Sequence, residues 1–150
     1  IDWKSKYLYL LAELDNTKKR FNKQIEEVRE YGRENVFYDI IVELDALLIN
    51  EKCTDNEDER ERLSNIIKSF YKMLKKWDVE RLYNTDDRIK TFNPETDNAV
   101  MAIPTNDKTL DNTICNIVKH GYRFRNKILR YEEVIVYKFT EENENGTKTD

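Results

Sequence analysis

The stretch YLYLLAELDNTKKRFNKQIEEV, residues 7–28, decides the fold. Tyr7, Leu14, Phe21 and Val28 recur at heptad spacing, and Leu10, Leu11 and Ile25 fill the other half of the same seam. A seven-residue apolar rhythm is what a helix carries when it lies along another helix. Thr17, Lys18 and Gln24 weaken the seam in its middle. Beyond Tyr31 and Gly32 the rhythm broadens into Val36, Phe37, Ile40, Ile41, Leu44, Leu47 and Leu48, the wider face of a bundle helix. No proline occurs in the first fifty residues. The spacing therefore predicts one helix over 3–49, about 70 Å long at 1.5 Å per residue. Gly32, which costs a helix interior about 1 kcal/mol relative to Ala, marks an expected weakness or kink.

A chain of 150 residues cannot cover so long a stripe with its own side chains. The heptads predict a partner helix, most simply from a second copy of the chain. Downstream, Glu51, Asp55, Glu57, Asp58, Glu59 and Glu61 make an acidic turn, in which Thr54-x-x-Glu57 has the form of a capping box. A second helix follows, with Leu63, Ile66, Ile67, Phe70, Leu74 and Trp77 on one face and Lys75 and Lys76 at its end. Two such helices per chain, doubled, give a four-helix bundle. The expected dimerisation residues are Tyr7, Leu14, Phe21, Val28, Ile40, Leu44, Ile67, Phe70 and Leu74.

After Leu82 the pattern changes to short β-rich stretches at 99–103, 113–118, 122–124, 127–129 and 134–139, with Asn126 at the tip of a tight hairpin. The expected class is α+β: a helical dimerisation region over 1–82, a small β-domain over 83–139, and a disordered polar tail over 140–150.

Composition narrows the chemistry. One histidine and three glycines leave no His-rich metal site, no His-based triad, no P-loop and no dinucleotide-binding turn. Nine Tyr, six Phe and two Trp argue against disorder, so the low mean hydropathy of -0.86 is assigned to solvated outer faces of long helices. No apolar run approaches a membrane span. Cys53 and Cys115 form no CxxC, which suits reduced thiols and a cytoplasmic setting. The chain begins at Ile1 rather than Met, so a preceding segment is expected. Asn145-Gly146-Thr147 is read as a chance glycosylation triplet. Asp86-Asp87 and Glu132-Glu133 are adjacent carboxylates that a strand would turn to opposite faces, a poor acid/base pair. No catalytic residue, metal ligand set or cofactor is expected.

The densest basic cluster is Lys119, His120, Arg123, Arg125, Lys127 and Arg130, with no acid between Asp111 and Glu132. With Tyr122 and Phe124 interleaved, it suits a nucleic-acid face or an acidic protein surface. A whole-chain pI near 5.3 argues against the nucleic acid. On residues alone, a coiled-coil scaffold whose β-module binds a protein or nucleic acid stays open.

Three motifs, in order and at matching spacing, resemble the GrpE family, the nucleotide exchange factors of DnaK-type chaperones. AELDNTKKR at 12–20 is similar to the family's Ala-Glu-x-x-Asn core leading into basic residues. FNPETDNAVM at 92–101 resembles Phe-Asp-Pro-x-x-His-Glu-Ala-Val, with Asp97 and Asn98 replacing the His and Glu. HGYRFRNKILR at 120–130 and VIVYK at 134–138 resemble the closing block, with Tyr131 and Glu132 in place of Pro-Ala. Further departures fall at Glu27, Val42, Ala46, Ile49, Asn50 and Arg62.

The resemblance implies a homodimer that binds the ATPase domain of a DnaK-type chaperone and opens its nucleotide cleft. By position it implies chaperone contacts at Lys18, Val118, Lys127 and Val136. Arg123 and Arg125 of the basic hairpin join them.

Overall fold

The computed structural model describes residues 2–83 and 91–141. Asp86 and Asp87, the predicted tail beyond Glu141, and the Asn145-Gly146-Thr147 triplet lie outside the described residues. Helix α1 spans Trp3–Cys53 and α2 spans Glu57–Lys76. Six strands follow: β1 Val79–Arg81, β2 Asp97–Thr105, β3 Ile114–Lys119, β4 Tyr122–Phe124, β5 Lys127–Arg130 and β6 Glu132–Phe139. The class is α+β. The chain forms two compact units, 1–40 and 41–150.

In the first unit α1 starts at an aspartate cap. Asp2 Oδ1 accepts from the backbone N–H groups of Lys4 and Ser5 at 3.1 and 3.3 Å, which satisfies two of the first-turn donors. The helix continues through Gly32, which lies inside it rather than at an end. Tyr7, Leu14, Phe21 and Val28 are each half or more exposed. The heptad stripe is thus fully presented, with no side chain of its own unit laid over it.

In the second unit the capping box gives way to a different cap. Asn56, with extended backbone, accepts from Asp58 N at 3.0 Å and Glu59 N at 3.5 Å. Thr54 lies too far upstream to reach those groups; its hydroxyl donates to Glu59 Oε2 at 3.1 Å, and its carbonyl accepts from Arg60 at 2.7 Å. At the other end of α2, Trp77 N bonds Leu74 O and Asp78 N bonds Lys75 O. Asp78, left-handed at φ 61°, turns the chain directly into β1.

The strands form two three-stranded sheets, β1-β4-β5 and β2-β6-β3. In the first, all pairing is antiparallel, with Glu80 opposite Arg123 and Arg81 opposite Tyr122. In the second, β6 is central, parallel to β2 and antiparallel to β3, with bulges at 99–101 and near Cys115 and Val118. Sequence reading missed β1, and the first sheet therefore begins before the expected boundary at residue 82. Ile41 and Leu44 of α1, Ile67 and Leu74 of α2, Val79, Tyr122, Phe124, Val134 and Val136 are buried.

Candidate functional site

The hairpin β4–β5 is built by alternation: Tyr122 and Phe124 turn inward and Arg123 outward. Arg125, left-handed at φ 53°, and Asn126 make the two-residue tip between paired Phe124 and Lys127. Arg125 N donates to Asp78 O at 2.9 Å, and its Nε stands 3.8 Å from Asp78 Oδ2. Its guanidinium covers the Phe124 ring at 5.0 Å. A shallow concavity at this end is lined by Asp78, Glu80, Arg123, Arg125 and Asn126.

The basic cluster is thus interleaved with acids from β1, the turn before it and β6. Arg123 faces Glu80 across the ladder, Arg125 faces Asp78, and Lys119 pairs in register with Glu133. Lys127 is exposed at the start of β5. The remaining two basic residues face inward. Arg130 Nη1 and Nη2 reach Asp45 of α1 at 2.5 and 2.8 Å, and its Nε and Nη2 donate to the His120 carbonyl at 3.0 and 2.7 Å.

His120 lies between this clamp and Arg81. Arg81 Nη2 is 2.9 Å from Nδ1 and 3.2 Å from Nε2, while the buried Glu132 places Oε1 3.4 Å from Nδ1. Burial, Arg81 and Lys52, reinforced by Arg130 and opposed by Asp45, push the imidazole down to about 4. Gly121 next to it permits a close approach of the chain to Arg130 and Glu132. An added Cβ would stand 2.6 Å from Glu132 N and 2.8 Å from Arg130 O.

Of the other residues singled out by sequence, Lys18 is exposed on α1 and Val118 is exposed on β3. Val136 is 3% exposed, because its position on central β6 faces inward; its side chain serves the core and is covered before any partner arrives. The expected dimerisation set divides in the same way. Leu44, Ile67 and Leu74 are at most 4% exposed within the single chain, and Ile40 and Phe70 are half-buried. The apolar residues that α1 and α2 leave outward in the second unit are instead Val42, Ile49, Ile66, Met73 and Trp77. Their spacing, Val42 to Ile49 and Ile66 to Met73 at seven and Met73 to Trp77 at four, was a readable signal of a second stripe. Asp45, Arg81 and Glu132 carried no comparable signal, since their partners are distant in sequence.

Among the described residues no group of three or more His, Cys, Asp or Glu could hold a metal ion, and no helix is long and apolar enough to cross a membrane. Cys53 and Cys115 are free and exposed.

A long helix with an uncovered apolar seam, a helical pair and a small β-module place this chain in a class defined by its surfaces. A sequence model of GrpE matches residues 1–138, and the chain belongs to the GrpE family. It is 29% identical to Protein GrpE of Desulfatibacillum aliphaticivorans over 91% of this chain and 67% of that relative. It is 29% identical to Protein GrpE of Halorhodospira halophila, covering 87% of this chain and 55% of the relative. With Protein GrpE of Methanosarcina barkeri the identity is 30%, over 93% of this chain and 67% of the relative. The chain thus spans between 55% and 67% of the length of these relatives.

Proposed function

We propose that this chain acts as a homodimeric co-chaperone in the cytoplasm, binding the ATPase domain of a DnaK-type chaperone and opening its nucleotide cleft so that ADP leaves. Membership of the GrpE family over 1–138 carries the proposal. Such a factor needs no covalent chemistry and no cofactor. It binds the open chaperone better than the closed one and so weakens ADP binding, with reciprocal coupling between the two ligands.

The uncovered seam of α1 supports dimerisation: Tyr7, Leu14, Phe21 and Val28 remain exposed on one helix and gain by meeting the same residues of a second copy. The outward set Val42, Ile49, Ile66, Met73 and Trp77 extends the proposed dimer contact into the bundle region. For the chaperone, the proposed contacts are Lys18, Val118, Arg123, Arg125 and Lys127. The acids Asp78 and Glu80 among these cations favour a protein surface with charges of both signs over a nucleic-acid backbone.

Stopped-flow release of labelled ADP from the cognate chaperone tests the reading. Acceleration that saturates with added dimer is expected. An unchanged release rate at saturating dimer would replace exchange with the scaffold function, in which the β-module binds without opening the cleft.

A further inference from the structure

Arg81 is placed unlike the other described arginines of the second unit. It arrives on β1 half-buried, lies over the Tyr71 ring at 5.3 Å and directs Nη2 at His120. Its Nε is buried without a hydrogen-bond acceptor, and the buried hydroxyls of Tyr71 and Tyr122 lie against each other in the same neighbourhood. Among the described residues no carboxylate forms an ion pair with Arg81, Lys52 or Lys68. A half-buried guanidinium whose Nε has no acceptor is better satisfied when an anion sits against it.

A cavity of about 520 Å³ opens beside this group, between the end of α1, the middle of α2 and β1. Lys52, Arg60, Lys68 and Arg81 line it, with Glu51 as the sole carboxylate among the described lining residues. Arg60 is already engaged by Glu57 at 3.2 Å and by the Thr54 carbonyl at 2.7 Å, which leaves Lys52, Lys68 and Arg81 as the available cations. Ser64 adds a hydroxyl donor to the same wall, and the Tyr71 ring closes it. A second cavity of about 370 Å³ shares Tyr71 and Arg81, so Arg81 stands at the partition between two spaces.

We propose that this cleft binds a small phosphate-class oxyanion, held by Arg81 and the ammonium groups of Lys52 and Lys68. An arginine fork matches two phosphate oxygens, and lysines supply mobile point charges around it. The volume exceeds what a single oxyanion fills and admits the phosphoryl end of a nucleotide as well. The position of His120 agrees with a positive field there. The groups facing it are Lys52 and Asp45 of α1, Arg81 of β1, Arg130 of β5 and Glu132 of β6, and the balance keeps its ring neutral. The site does not depend on exchange activity.

The chain has one histidine, and it lines this cavity, so its ring protons report the site without labelling. The full chain is titrated by NMR at pH 7 and fixed ionic strength with inorganic phosphate, with ADP, and with chloride as the reference. A saturable shift of the His120 signals and a rise in its pKa are expected with phosphate, and neither with chloride. Lys52→Gln and Lys68→Gln are on exposed positions and keep the fold by circular dichroism; each should weaken the apparent affinity about fivefold. Tighter binding of ADP assigns the oxyanion to a nucleotide's phosphoryl group, and equal or weaker binding assigns it to free phosphate. His120 signals unmoved by both anions, or a response unchanged by both lysine substitutions, overturns the proposal.

Discussion

Arg130 and Asp45, 85 residues apart in sequence, meet through two parallel hydrogen bonds of 2.5 and 2.8 Å. The guanidinium also donates from Nε and Nη2 to the His120 carbonyl and lies over the Tyr122 ring at 5.6 Å. One side chain thereby fixes the end of β5, the turn before β4 and the last third of α1. With side-chain exposures of 9% and 15%, the pair is largely withdrawn from solvent and escapes most of the screening that weakens surface ion pairs.

Removing one end of this pair is expected to cost more than removing both. Asp45→Ala leaves a buried guanidinium without its carboxylate, and a loss of about 3–5 kcal/mol in urea unfolding at fixed protein concentration is expected. Asp45→Leu combined with Arg130→Met should recover part of that loss. A single variant within about 0.5 kcal/mol of wild type would show that the contact contributes nothing measurable.

The two glycines among the described residues should respond in opposite senses to alanine. At Gly121 the new methyl meets the Glu132 amide, the Arg130 carbonyl and Leu82, all below 3 Å, and the backbone atoms cannot yield. Overpacking of at least about 2 kcal/mol is expected. At Gly32 nothing lies within 4 Å of the added carbon, and the residue is helical, so Gly32→Ala should stabilise α1 by up to about 1 kcal/mol. Thermal melts followed at 222 nm order the three proteins; a Gly121→Ala melt matching wild type would contradict the packing.

Association and folding should separate by residue. Met73→Glu and Ile49→Glu alter outward side chains and should shift sedimentation equilibrium toward a single chain of 18.1 kDa while each chain keeps its helix content. Leu44→Ala removes a side chain 1% exposed in the single chain and should cost about 2–5 kcal/mol of stability. If the outward substitutions leave association untouched, these faces are not where two copies meet.

Acid should expose the contribution of His120. In the unfolded chain the ring titrates near 6.5, and in the folded chain at about 4, with burial, Arg81 and Lys52 as the main causes. Above 6.5 the ring is neutral in both states and the stability is complete. As the pH falls from 6.5 to 4 the unfolded chain takes up a proton that the folded chain refuses, so stability declines; below 4 the decline from this group ends. After screening, the loss is roughly 2–3 kcal/mol. His120→Gln should flatten that part of the profile relative to wild type, and parallel profiles would show that the ring does not titrate differently on folding.

Much of the helical half is legible in the sequence because its signals are periodic and local. The seam from Tyr7 to Val28 repeats within one turn-to-turn pattern, and the fold presents it as read. The α2 cap was misread for an equally local reason: Thr54 and Asn56 both suit the cap, and only backbone geometry selects Asn56. The β half is less legible. Val79-Glu80-Arg81 is too short to show alternation, and it becomes a strand only because β4 lies beside it. The basic cluster was visible as charge, but the clamp on Asp45 and the acids opposite Arg123 and Arg125 depend on pairings across the chain.

The position of β1 also bears on how the molecule can be taken apart. It is joined to α2 by two residues, Trp77 and the left-handed Asp78, yet it completes a sheet whose other two strands lie more than forty residues later. A fragment starting at residue 83 would keep β4 and β5 as a bare hairpin, which is marginal in water, and would uncover the flank of Tyr122 that Arg81 pairs with. The β-module therefore has no autonomy at that boundary: its smallest self-sufficient form must include the end of α2, and proteolytic release of it should destroy it.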